Sequence, residues 1–230
     1  MPATLTATQI VQELKSYANP ANVAGMARFG ISASNTFGIS MVTLRGIAKK
    51  AGKHHELALE LWASGIHEAR ILAALVDEPA KVDEQQLESW VKDFDSWDVC
   101  DQCCLVLFSR TPFAYQKVDE WSRREEEYVK RAAFSLLAAL TVHDKKAPDD
   151  QFSAFLPNIK QASLDERNYV KKAVNWALRQ IGKRNPALNS QAIECAREIQ
   201  QLPAKSARWI AADALRELTG EAVQQKLARK

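Results

Sequence analysis

The sequence predicts an all-α fold of stacked helix pairs, and three observations carry that prediction. Ala, Leu, Glu, Gln, Lys and Arg dominate the 230 residues, while only 8 Gly and 8 Pro are spread among them. Strong helix formers thus far outnumber helix breakers. Apolar residues recur at helical spacing in nearly every segment between the breakers. The third observation is an internal repeat: Tyr128-Val129-Lys130-Arg131-Ala132-Ala133 returns 41 residues on as Tyr169-Val170-Lys171-Lys172-Ala173-Val174. A fainter copy relates Ala177-Leu178-Arg179 to Ala214-Leu215-Arg216, 37 residues on. A period near 40 residues built from helix pairs marks HEAT or armadillo repeats. Each repeat buries its face only against the next, so residues 1–230 are expected to form one α-solenoid domain with a concave basic groove. About six helix pairs fit that length.

Taken in order, Thr8 to Ala18 reads as an amphipathic helix stopped by Asn19-Pro20, and Asn22 to Phe29 as a second. Gly30 to Ser40 is rich in turn formers and breaks the helical period. Met41 to Ala51 resumes it, with Leu44, Ile47 and Ala48 on one face and Gly52 just past its end. Glu56 to Ala63, Ile66 to Val76 and Asp83 to Phe94 follow with the same spacing. The next stretch, Ser96-Trp97-Asp98-Val99-Cys100-Asp101, runs into the apolar string Cys103 to Phe108. Ser96 suits the N-cap of a helix from Trp97 to Ser109, its hydroxyl accepting an orphan amide hydrogen. That helix is apolar nearly all round, as expected of a buried segment. Trp97 and Asp101 share a face at i and i+4. Asp98 and Asp101 also suit the positive end of a helix dipole, which is the plainer account of both.

Pro112 to Ser122 behind a Thr111 cap, Glu125 to Leu140 and Asn168 to Arg184 complete the reading of the middle of the chain. In the last of these, Val170, Val174, Ala177, Leu178 and Ile181 form a core row. Lys172, Trp176, Arg179 and Lys183 recur on roughly the opposite side, a basic stripe containing an indole. Tryptophan among three cations on an outward face suggests a surface for sugar-phosphate or bases; solvated lysines around an indole that fills a seam between repeats is the alternative. Arg131 holds the repeat position of Lys172, so both cations are expected on one side of the solenoid as a basic track. An acid such as Asp101 beside that track repels phosphate, which favours catalysis over mere binding.

The formal charge of +3 hides an asymmetry. Residues 1–100 carry 9 Lys+Arg against 12 Asp+Glu, or −3, and the remainder 22 against 16, or +6. The excess in the second half is a reason to look for a polyanion. Cys100, Cys103 and Cys104 crowd together with Cys195 far away, which is no disulfide framework. A zinc site needs further ligands at suitable spacing, so buried thiols on an apolar helix are expected. No apolar run approaches the ~20 residues of a membrane span, and Met1 to Thr6 lacks the features of a signal peptide. The expected location is the cytoplasm.

The ordered set Trp97-x-x-x-Asp101, Tyr128 to Ala133 and Lys172-Ala173-Val174-Asn175-Trp176-Ala177-Leu178-Arg179 resembles the HEAT-like DNA alkylation repair glycosylases of the AlkD type. The similarity extends to Met26-Ala27-Arg28-Phe29 and to Phe37-Gly38-Ile39 with Arg45, and spans most of the chain. The resemblance implies hydrolysis of the N-glycosidic bond of N3- or N7-alkylated purines in double-stranded DNA; no metal or nucleotide-cofactor motif appears in the sequence, and a monomer is expected. By the same resemblance Asp101 is the catalytic carboxylate, Trp97 and Trp176 pack on the deoxyribose beside the lesion, and Arg131 approaches the backbone. Lys130, Lys172, Arg179 and Lys183 are assigned to the DNA-binding surface. So is Phe29, which stands where the family usually has tyrosine and so keeps the aromatic face without the hydroxyl. The rival expectation is a non-catalytic HEAT-repeat scaffold for nucleic acid or protein, since repeat folds commonly serve that purpose.

Overall fold

The computed structural model of the chain describes residues 5–229, which form fifteen α-helices and one 3₁₀ turn, with no strand among the described residues. The all-α expectation is met. Residues 1–4, part of the segment read as lacking a signal peptide, lie outside the described residues. No helix among the described residues is long and apolar enough to cross a membrane. The chain divides into two compact units, Met1–Pro112 and Phe113–Lys230.

The first unit holds α1 (Ala7–Ser16), α2 (Pro20–Ala27), α3 (Met41–Ala51), α4 (His55–Ala63), α5 (His67–Val76), α6 (Glu84–Lys92) and α7 (Trp97–Val106), then a 3₁₀ turn over Phe108–Arg110. Thr6 opens α1 with a reciprocal capping box, accepting from Gln9 N while Gln9 Oε1 accepts from Thr6 N at 2.9 Å. Helix α5 packs against α3, α4 and α7. Leu44, Leu61, Leu72, Cys100 and Cys103 are fully buried there. Trp62 and Trp90 stack with centroids 3.9 Å apart, adding a second layer to this core. The three cysteines of α7 are buried free thiols, as expected, and burial pushes that of Cys103 well above its ordinary pKa.

The second unit holds α8 (Ala114–Ser122), α9 (Glu127–His143), α10 (Asp149–Ser153), α11 (Leu156–Ala162), α12 (Asn168–Gly182), α13 (Pro186–Gln200), α14 (Lys205–Leu218) and α15 (Glu221–Leu227). Helix α9 packs on both α8 and α12, and α12 also meets α13 and α14. The sequence repeat reappears as a repeat of hydrogen bonds. Arg131 Nη1 donates to Tyr169 O at 2.7 Å, Arg184 Nη1 to Thr141 O at 3.0 Å, and Ser206 Oγ to Ser163 O at 2.7 Å. Asn175 Nδ2 donates to Asp213 at 2.7 Å. These partners stand 38 to 43 residues apart, the spacing of one repeat. Gly182 lets α12 approach α14: a Cβ there would lie 2.7 Å from a Leu218 methyl.

Three local expectations change. The helix expected to reach Ser109 stops at Val106 and tightens into the 3₁₀ turn. Thr111 does not cap the next helix, which begins at Ala114; its hydroxyl donates back to Phe108 O at 2.9 Å. Ser96 does occupy the N-cap position of α7, but its hydroxyl donates to Asp98 Oδ1 at 2.6 Å and accepts no amide hydrogen of the first turn.

Candidate nucleic-acid interface

In the first unit the site is built on the first turn of α7. Trp97 is its first residue, and Asp101 stands one turn later, half-buried. The indole Nε1 donates to the Phe29 carbonyl at 3.0 Å, tying the end of α2 to the start of α7. The Phe29 ring is 72% exposed. Asp98, adjacent to Trp97, accepts from Ser96 Oγ and Val99 N and meets His67 Nε2 at 2.9 Å. This partner is invisible in the sequence, and it makes Asp98 an anchor between α5 and α7 rather than only a helix-end charge. Burial opposes a charge on His67, yet the Asp98 carboxylate outweighs it and raises the imidazole pKa. Burial likewise opposes ionisation of Asp98, and the bonds from His67, Ser96 and Val99 hold its pKa below the ordinary value.

The next residue of α5, Glu68, is 1% exposed and turns its carboxylate to the loop before α3. Phe37 N, Gly38 N and Ile39 N all donate to it, at 2.7 to 3.2 Å. Asn19 N bonds Phe37 O at 2.7 Å and Asn22 Nδ2 bonds Gly38 O at 2.9 Å from the other side. Gly38 adopts φ +77°, and a Cβ there would sit 2.5 Å from Asn19 O, so only glycine fits. The irregular stretch read from the sequence as a turn-rich break is therefore a braced wall. Between it, α2 and Trp97 lies an open, mainly apolar cleft of about 510 Å³, lined among others by Gly25, Met26, Phe29, Ile39 and Trp97.

In the second unit the α12 core row Val170, Val174, Ala177, Leu178 and Ile181 is fully buried, as expected, while Trp176 is half-buried and Lys172 exposed. The basic track is corrected. Arg131 is 5% exposed, with its guanidinium on the Tyr169 carbonyl beneath the Tyr128–Tyr169 stack, whose centroids are 5.7 Å apart. It does not share an outward side with Lys172: its guanidinium turns to the Tyr169 carbonyl of the next repeat, whereas Lys172 is exposed. Lys130 lies 3.6 Å from Asp165. Arg179 and Lys183 converge on Glu217 of α14, Lys183 at 2.6 Å, with Asp213 3.7 Å from Arg179. Three of the four expected DNA-binding cations, Lys130, Arg179 and Lys183, are thus engaged within the protein, as is Arg131. Lys172 forms no ion pair among the described residues.

Sequence reasoning overlooked a different basic surface. Residues 14–55 contain Lys15, Arg28, Arg45, Lys49, Lys50 and Lys53 and not one Asp or Glu. Lys50 pairs with Glu13, and Lys53 donates to two backbone carbonyls. Lys15, Arg28, Arg45 and Lys49 are exposed and form no ion pair among the described residues. The signal was present as an acid-free stretch, but the net −3 of residues 1–100 concealed it.

Comparison with known proteins places this architecture. A solved structure from a family of proteins related to the HEAT-like repeat DNA glycosylases, with affinity for branched DNA structures, superposes with a TM-score of 0.79 at 20% identity, covering 94% of this chain and 97% of that one. The fold is accordingly of the HEAT-like repeat type. The uncharacterized protein Lin0241 of Listeria innocua is 25% identical over 199 residues, 85% of this chain and 87% of the relative. Lmo0209 of Listeria monocytogenes, also uncharacterized, is 22% identical over the same coverage. Residues 10–218 match the description of the DNA alkylation repair enzymes, nearly the whole chain, and the protein therefore belongs to the DNA alkylation repair enzyme family.

Proposed function

We propose that the protein is a monofunctional DNA glycosylase that releases N3- or N7-alkylated purines from double-stranded DNA. The observation that carries this reading is the pair Trp97 and Asp101, one turn apart on α7, in a chain of this family. An alkylated purine already bears positive charge, so the bond from C1′ to the ring nitrogen breaks with its electrons passing into the purine, and no acid is required. The sugar left behind is oxocarbenium-like. Asp101 stabilises it and orients a water that adds at C1′ and gives up its proton to the carboxylate. A unit charge ~4 Å from another is worth roughly 4 kcal/mol at an effective dielectric near 20, about a thousandfold in rate. The indole face of Trp97 holds the deoxyribose and favours its developing charge. Arg131 acts as a positioning residue, holding the first turn of α12, the helix that carries Trp176.

Incubation with methylated duplex DNA, with the freed bases identified, tests the reading. Asp101→Asn keeps size and shape, so it is expected to lose about a thousandfold in single-turnover release while retaining DNA affinity. Equal rates for the variant and the natural protein remove Asp101 from the chemistry. DNA binding with no base release from the natural protein replaces the glycosylase with a structure-specific DNA binder. The affinity of the structural relative for branched DNA makes that the reading to examine next.

A further inference from the structure

We infer that the cleft between α2, the 37–40 loop and Trp97 is a site for a single unstacked nucleobase of DNA. The inference rests on the reading of the chain as a DNA-binding protein. The volume of about 510 Å³ lies in the range of small-ligand sites, and the lining is mostly apolar. Two of its walls are aromatic. Phe29 is 72% exposed, an unusual placement for that ring, and its backbone carbonyl is tied to the Trp97 indole, so the two residues are held side by side at the cleft. Every base offers a π-face, which makes stacking on such rings tolerant of sequence. The Glu68 clamp and the Asn19 and Asn22 bonds hold the opposite wall, so the cleft is formed before any ligand arrives.

Charge selects the occupant. A free apolar metabolite would gain nothing from exposed cations on the elements that line the cleft, whereas a base arrives attached to phosphates. Arg28 directly precedes Phe29, and Arg45 follows the lining residue Ser40 by five positions on α3; both are exposed and outside any ion pair among the described residues. Cations flanking an aromatic cleft are the arrangement that grips a strand while one base leaves the stack. Base-paired DNA offers no such base, whereas a bulge, a junction or a lesion-distorted duplex does.

Gly25 supplies the test. It lines the cleft from within α2, and a Cβ built there has nothing within 4 Å, so Gly25→Leu fills the cleft without straining the helix. Gly46 on α3 has the same open surroundings but does not line the cleft, so Gly46→Leu is the control. Binding is measured by fluorescence anisotropy on three DNAs: a paired duplex, the duplex with a one-nucleotide bulge, and the duplex with a propyl spacer in place of the bulged nucleotide. The natural protein and Gly46→Leu are expected to prefer the base-bearing bulge over the spacer about tenfold, the scale of one base–aromatic stack. Gly25→Leu is expected to bind the two alike. No preference in the natural protein, or a preference that survives Gly25→Leu, overturns the inference while leaving the DNA reading intact. No binding to any of the three DNAs overturns both.

Discussion

The two units use their charged side chains in opposite ways. In Phe113–Lys230 several of the abundant basic residues serve the repeat: Arg131 and Arg184 hold carbonyls one repeat away, and Arg179 and Lys183 are gathered onto Glu217. In Met1–Pro112 the buried carboxylates are Glu68 and Asp77; Glu68 and the half-buried Asp98 brace the loop and helix start around the cleft, while Arg28, Arg45 and Lys49 stay outside ion pairs among the described residues. Positive charge counted in the sequence is therefore not the same quantity as positive charge left outside ion pairs and carbonyl contacts. A formal count treats every lysine alike, whereas a cation within hydrogen-bond reach of a carboxylate has already been neutralised for any third party.

The sharpest break of this contrast is Glu68→Gln. Oε1 accepts from all three N–H groups and Oε2 from Phe37 N alone, so the amide weakens three charge-assisted bonds to neutral ones and sets its own N–H against that of Phe37, at a cost of about 3 kcal/mol. For a chain of this size that lowers Tm by about 6–12 °C. Hydrogen exchange is expected to accelerate at Phe37 to Ile39 and to leave α12 protected. Equal loss of protection in both units refutes the local bracing role.

A pH titration addresses the second brace. The folded pKa of His67 is raised above its ordinary 6.5, so its stabilisation is complete below 6.5 and is lost as pH rises through the higher folded value. Asp98 is lowered from 3.8, so its contribution is present above 3.8 and is lost as pH falls through the lower folded value. The pair is strongest between those ordinary values. The ring of His67, followed by NMR, is expected to titrate above 6.5, and below it in Asp98→Asn, where burial acts without the carboxylate. Unchanged midpoints in the variant remove the pair from the account of α7.

Glu217→Gln is the gentlest test and acts on the other unit. The cluster is partly exposed, so stability is expected to fall by only about 1 kcal/mol. Releasing Arg179 and Lys183 is expected to tighten DNA binding and to steepen its salt dependence by about 1–2 units, while Lys172→Ala lowers the slope by about 1. Lys183→Ala in the natural background is expected to leave the slope nearly unchanged. A fall of a full unit there would return Lys183 to the phosphate-binding surface.

The sequence by itself determined the helical fold, because composition, spacing and punctuation are local properties that each helix expresses independently. It determined the repeat of the second unit for the same reason: Tyr128 and Tyr169 occupy equal positions in equal segments, and they stack. It also brought Trp97 and Asp101 together, since four residues along a helix is one turn wherever that helix lies. Tertiary structure alone decided which charges remain available. Arg131 and Lys172 are equivalent in the repeat, but Arg131 is buried with its guanidinium on the Tyr169 carbonyl, while Lys172 is exposed. The partners Glu68 to Gly38, His67 to Asp98 and Lys183 to Glu217 are 30 to 34 residues apart, and no helical or strand period links such positions. Ion pairing depends on distance through space, and only the packed chain sets that distance.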